Sequence, residues 1–280
     1  MAVNPDKIWR EVELSSGQNK QLIDDLCIAL VENIEMSKLF IIIKYVEQLA
    51  KEEKSIRILD YGCGGGQLLT YLRILGYKNL IGVDVRNQKT MNQLNILHDN
   101  MGFGSDTFFT YDGVQLPFND TSFDIIISQQ VLEHVHNVDN YFSECKRVLS
   151  LKGKMLLDFP HRLVPFDTHT KMWFVHYFPV SIRNYFYDKY INDGAANRYG
   201  YASFLYLKPI WFYKKLLNQM FSSTVDITGD RISSFAYRDH YEGNILLRSA
   251  VGSLFNVPLI GKYINKFLSV FFNATLIVSK

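Results

Sequence analysis

The segment Asp60-Tyr61-Gly62-Cys63-Gly64-Gly65-Gly66 sets an acid before three glycines on alternate positions. A turn of this kind binds through its backbone, because glycine permits a sharp reversal and an approach that any Cβ would block. Ile56-Arg57-Ile58-Leu59 before it is short and apolar, as a buried parallel strand is. Gln67 to Leu75 after it carries apolar residues at helical spacing and stops at Gly76. A helix there aims its free N–H groups at whatever the turn holds. The dinucleotide pattern wants its third glycine three positions after the second, where this chain has Gln67. Asp60 has no use against a pyrophosphate. It suits a ligand with a cationic end.

Three further segments follow. Leu80-Ile81-Gly82-Val83-Asp84-Val85 reads as a second buried strand ending in an acid. Asp84 lies 24 residues after Asp60, about where a doubly wound fold places the acid that takes ribose hydroxyls. A solvated loop carboxylate is the plainer reading. Phe108 to Phe118 contains Asp112-Gly113-Val114-Gln115-Leu116-Pro117-Phe118, and Ser122 to Val135 contains Phe123-Asp124-Ile125 and Val131-Leu132-Glu133-His134-Val135. The last segment reads as a fourth strand running into a helix.

In order, these four segments resemble the class I S-adenosylmethionine (SAM)-dependent methyltransferases over about residues 56–160. The turn is similar to their motif I, and the later segments to their "D-x-x-x-L-P-F" and "F-D-x-I-x-x-x-x-V-L-E-H-V" stretches. The resemblance implies an α/β fold: a Rossmann-like seven-stranded sheet with helices on both faces. It implies SAM as cofactor. Asp60, Gly62, Gly64 and Gly66 would then cradle the methionine end, Asp84 hold the ribose, Asp112 and Gly113 face adenine, and Gln129 touch the cofactor through its backbone.

Methyl transfer from a sulfonium is an in-line displacement, which needs positioning and the exclusion of water. A base is required only if the acceptor must lose a proton, as an alcohol must. Two histidines are candidates. His134 follows Glu133 where the fourth strand's carboxyl end opens into the cleft, and a structural His bonded to a carbonyl is the competing reading. Ubiquinone-pathway O-methyltransferases look similar here, with two Glu and a His on one helical turn as a proposed metal site. This chain has Gln130, Glu133 and His134, one carboxylate fewer, and no metal is expected. His169 stands two residues after Asp167, in a stretch that looks like methyltransferases encoded with bacterial surface-polysaccharide genes. That pair could orient a sugar hydroxyl and take its proton, with His161 and Arg162 beside an acidic group of the acceptor. Alternatively Asp167 and Thr168 cap a turn and His169 packs.

These residues need elements to hold them. Leu22 to Val31 and Ile34 to Lys51 read as two helices, and residues 1–54 as a helical extension over the cofactor cleft. Residues 55–160 read as the SAM-binding αβ core, with strands near 56–61, 80–85, 106–111, 123–128 and 154–159. Asn137 to Leu149 is the helix before the fifth strand, and residues 150–154 are the turn into it. Residues 159–213 hold 17 of the 40 aromatic residues, so 161–220 is assigned as an inserted, aromatic-rich substrate cap. Phe221 to Thr228 and Asn273 to Lys280 read as the sixth and seventh strands, with a helical insertion between them in 221–280.

Composition narrows the partners. A net charge of +2 without Lys/Arg runs gives no nucleic-acid signature. Cys27, Cys63 and Cys145 form no metal spacing, and a disulfide at Cys63 would disturb the turn, so a reducing cytoplasm is expected. The first residues hold no signal-peptide core, and nowhere do 18 apolar residues run together. Residues 254–272 combine an apolar face with Lys262 and Lys266; they either pack on the cap or lie on a membrane surface. The resulting expectation is O-methylation of a small-molecule or sugar-type acceptor in surface-polysaccharide biosynthesis. A lipophilic phenol or quinol acceptor, and SAM binding without turnover, are the alternatives. The sequence leaves the oligomeric state open.

Overall fold

The computed structural model describes residues 3–167, 172–179, 181–186, 205–236, 267 and 269–280. Its centre is a seven-stranded sheet in the order β3-β2-β1-β4-β5-β9-β8. The strands are β1 (Arg57–Tyr61), β2 (Asn79–Asp84), β3 (Phe108–Thr110), β4 (Phe123–Gln129), β5 (Leu149–Phe159), β8 (Ser223–Asp226) and β9 (Ala274–Ser279). The first five run parallel, while β9 is antiparallel to both β5 and β8. Strand order reverses between β1 and β4, the position at which open sheets of this kind bind ligands at their carboxyl ends.

The helices follow from burial on both faces. Ile58, Ile125, Ile127 and Leu156 pack into one apolar layer, while Leu59, Ile126, Met155 and Leu157 pack into the other. Neighbouring residues point to opposite faces, so each central strand reads as a continuous apolar run. The first layer is covered by α1 (Pro5–Leu14), α2 (Lys20–Asn33), α3 (Phe40–Ala50), α4 (Gln67–Ile74) and α5 (Gln88–Asn100). The second is covered by α6 (Val138–Val148) and the helix Ile210–Met220. Between β5 and β8 the described insertion contains the short hairpin β6 (Phe166–Asp167) and β7 (Met172–Trp173).

Four sequence expectations differ from what is observed. Helix α1 was not anticipated, although it has a clear start: Asn4 Oδ1 accepts the Asp6 N–H, and Pro5 stands in the first turn. The helix expected from Ile34 breaks at Ser37, because Asp6 takes the Ser37 hydroxyl (2.8 Å) and the Lys38 N–H (2.9 Å). The segment after β4 is not a helix. Gln130 turns with φ +56° and Leu132–His134 forms a single 3₁₀ turn before α6 begins. Residues 150–154, expected as a turn, fall inside β5, where the pairing with β4 jumps from Phe123↔Leu149 to Ile125↔Lys154. The extra residues bulge out of the ladder without ending the strand.

Candidate functional site

The glycine turn joins β1 to α4 and is left-handed at Gly62 (φ +88°), Gly64 (+54°) and Gly66 (+74°). The reasons differ along the turn. A Cβ on Gly62 would lie 2.3 Å from Val131 Cγ2, and one on Gly66 would lie 2.7 Å from the Phe108 ring. A Cβ on Gly64 would meet nothing closer than Arg86 Nη2 at 3.9 Å. Gly62 and Gly66 are therefore fixed by packing, whereas the space beside Gly64 is open.

The cavity bordered by the turn measures about 550 Å³, within the size range of small-molecule sites. Asp60, Gly62, Cys63, Gly64, Gly65 and Gln67 form its floor, and Gln129 and Gln130 close one end. Its roof is α1, through Asp6, Trp9, Arg10 and Glu13, together with Lys38 and Leu39. Asp6 fixes this roof. Besides Ser37 and Lys38 it accepts from Gln67 Nε2 (2.9 Å) and Tyr71 Oη (3.0 Å), so α1 is tied to α4.

The electrostatics centre on Asp60. Burial, and after it the charge of Asp84, push its carboxyl up to about 7. A cation entering the cavity would reverse that penalty. Asp84 ends β2, where Oδ2 accepts the Gly64 N–H (2.9 Å) and Oδ1 accepts the Arg86 N–H (3.1 Å). Cys63 is buried and burial pushes its thiol up, so it is no thiolate nucleophile.

The remaining sequence candidates are spread around this centre. Asp60, Gly62, Gly64 and Gln129 line the cavity; Gly66, Asp84, Asp112 and Gly113 do not. Asp112 is exposed, and accepting the Gln115 and Val114 N–H groups holds its carboxyl below the usual range. Gly113 lies against Val85, so the Asp112 turn sits beside the end of β2. His134 is half-buried and absent from the cavity wall. Asp167 is buried with His176, whose Nε2 is 3.7 Å from Asp167 Oδ1. His169, the partner expected for Asp167, lies outside the described residues, as does most of 254–272. His161 is fully buried, which lowers its pKa to about 4, and it lines a separate cavity of about 340 Å³ with Lys214, Asp226 and Thr228. Arg162 is exposed and its N–H donates to Lys208 O.

Gln130 Nε2 donates to Asp158 Oδ2 (3.3 Å), and Asp158 also accepts from Thr275 Oγ1 (2.8 Å) and faces Arg231 Nη1 (3.2 Å). Glu133 is fully buried, and burial pushes its carboxyl up to about 8. No group of three or more His, Cys, Asp or Glu among the described residues is placed to hold a metal ion. No helix among the described residues is long and apolar enough to cross a membrane.

Sequence reasoning assigned residues 1–54 to a position over the cleft but named none of the residues that line it there: Asp6, Trp9, Arg10, Glu13, Lys38 and Leu39. The Asn4-Pro5-Asp6 start and the apolar residues Ile8, Trp9 and Val12 would have revealed the helix, though not where it docks.

Residues 59–157 match a family described as "Methyltransferase domain". A ubiquinone biosynthesis O-methyltransferase of Chelativorans sp. is 32% identical over 108 residues, which are 39% of this chain and 42% of that protein. One from Agrobacterium fabrum is 30% identical over 102 residues, 36% and 40% of the respective chains. The match thus spans less than half the length of these relatives. Among solved structures, the YcgJ protein of Bacillus subtilis is 17% identical, covers 83% of this chain and 96% of its own, and has a TM-score of 0.48.

Proposed function

Because residues 59–157 form a methyltransferase domain of the class I, SAM-dependent kind, we propose that this protein methylates a hydroxyl of a small-molecule or sugar-type acceptor, with surface-polysaccharide biosynthesis as its setting. The observation that carries the reading is Asp60, a buried carboxylate beside an open glycine in a cavity of about 550 Å³. The donor set fits the cofactor. Asp60 answers a cationic methionine end, the space beside Gly64 is open, and Asp84 and the Asp112–Gly113 turn, at the ends of β2 and β3 outside the cavity wall, would take ribose and adenine.

When bound, SAM supplies an electrophilic methyl carbon on a sulfonium. The chain's work is to hold and to shield. The glycine turn and Asp60 fix the methionine end, the backbone at Gln129 borders the transfer point, and α1 excludes water from above. The acceptor's proton goes to His134, or to His169 oriented by Asp167 within a cap over residues 161–220.

A second acceptor class, a lipophilic phenol or quinol, is favoured by the names of the relatives, which are ubiquinone biosynthesis O-methyltransferases. Calorimetric titration with S-adenosylhomocysteine tests the cofactor half, and micromolar binding is expected. No binding would overturn the reading, and binding without turnover of any sugar or phenol would leave a SAM-binding protein. His134→Ala and His169→Ala, assayed for turnover with SAM affinity as control, assign the base.

A further inference from the structure

The glycine turn is held from two directions. At its start the Gly62 and Cys63 N–H groups donate to Val83 O (2.8 and 3.0 Å) and the Gly64 N–H donates to Asp84, so β2 fixes this half. At its end the Gly66 carbonyl accepts twice from Thr70, from the backbone N–H (3.0 Å) and from the hydroxyl (3.0 Å). The Thr70 hydroxyl in turn lies 2.8 Å from Nε2 of His98, on α5. Thr70 and His98 are both fully buried, and neither lines the cofactor cavity.

The direction of this chain follows from its protons. A hydroxyl carries one, and Thr70 Oγ1 gives it to Gly66 O. The bond to His98 is then donated by Nε2–H, which leaves Nδ1 as the bare acceptor of a neutral ring. Burial, and after it the charge of Arg73, keep the ring neutral by lowering its pKa to about 4. Nδ1 is buried without a hydrogen bond. The reverse arrangement would bury a proton on Nδ1 with no acceptor, and an orphaned donor is the rarer fault. A donor into Oγ1 also polarises the hydroxyl and strengthens its bond to Gly66.

His98 backs the same glycine by a second route. Its ring meets that of Phe108 edge to face, with centroids 4.7 Å apart, and Phe108 fills the place a Cβ on Gly66 would take. Asn95, three residues earlier and so on the same face of α5, pins that strand: Oδ1 accepts the Thr107 and Phe108 N–H groups (3.1 and 2.9 Å), and Nδ2 donates to Phe108 O (2.9 Å). We propose that His98 is a positioning residue of the cofactor turn. Through Thr70 it holds the Gly66 carbonyl, and so sets how Gly65, Gln67 and Leu68 border the cavity. The proposal rests on the reading of that cavity as the SAM site.

The test compares S-adenosylhomocysteine affinity, by calorimetry well below the melting temperature, with the melting temperature itself in the full chain. His98→Leu and Thr70→Val should each weaken binding about tenfold. His98→Gln supplies an amide N–H near the place of Nε2, and Thr70→Ser keeps the hydroxyl, so both should retain most of the affinity. Thr70→Val/His98→Leu should bind no more weakly than either single variant, because one chain is cut twice. Leu94→Ala removes a buried apolar side chain of α5 and serves as the control. It should lower the melting temperature and keep the affinity. Affinities that follow melting temperature across the set, Leu94→Ala included, would make His98 a packing residue and overturn the proposal. Wild-type affinity in His98→Leu, or losses that add in the double variant, would overturn it too. Should His98→Leu fail to fold, Thr70→Val against Thr70→Ser decides in the same way. Wild-type protein that binds no S-adenosylhomocysteine would overturn the SAM reading together with the proposal, a result distinct from a loss confined to the variants.

Discussion

Asp84 Oδ2 accepts the Gly64 N–H at 2.9 Å, so the acid that ends β2 holds the middle of the glycine turn that follows β1. The end of β2 and the turn after β1 are therefore one unit.

Asp84→Ala should weaken S-adenosylhomocysteine binding at least about tenfold by calorimetry, since it removes a charged acceptor and releases the turn. Asp84→Asn retains an acceptor oxygen for Gly64 and should fall between the two. Unchanged affinity in Asp84→Ala would place the ribose contact elsewhere.

Substitutions at Gly62 and Gly64 should separate stability from binding. Gly62→Ala puts a Cβ 2.3 Å from Val131 in a left-handed backbone, and should cost about 2–4 kcal/mol in denaturant unfolding. Val131→Ala should restore part of that loss by removing the clash. Gly64→Ala meets open space, and its strain should cost only about 1 kcal/mol. Ligand affinity should nevertheless fall, because Gly64 is part of the cavity wall and its N–H is held by Asp84.

The Asp60 carboxyl makes the ligand-free protein sensitive to pH. Its folded pKa of about 7 lies above the unfolded value of 3.8, so between these the folded state holds the extra proton. Stability should therefore fall as pH rises through this window and level off above about pH 7. Asp60→Asn should flatten that part of the profile in thermal melts, leaving the contribution of Glu133, which has the same sign. A cationic ligand favours the carboxylate, so binding near pH 6 should release a proton. Calorimetry in buffers of different ionisation enthalpy measures this release directly.

Asp6 holds the roof by accepting from Ser37, Lys38, Gln67 and Tyr71. Asp6→Ala should cost about 2 kcal/mol, less than a full sum because the site is partly solvated. The first cut under limited proteolysis should move into α1. A protease pattern identical to wild type would show that α1 is held by Trp9 and Val12 alone.

The sequence by itself determined the sheet and the turn. Strands buried on both faces must be short continuous apolar runs, and β1, β2 and β4 stand within a residue or so of where their runs predicted. The G-x-G-x-G spacing likewise announced a backbone reversal, since only glycine accepts such dihedrals without strain. Tertiary structure decided what those residues meet. An apolar residue records that it is buried, not against what. Nothing local in Val131 says that it closes on Gly62, so the helix expected after β4 became a bend. Nothing local in Asp6 says that it will gather four donors from residues 31 to 65 positions away. The same holds for Asp167, which lies beside His176 nine positions along the chain. Patterning along the chain fixes elements because burial imposes a period. Pairing across the chain follows from how those elements pack, and no period encodes it.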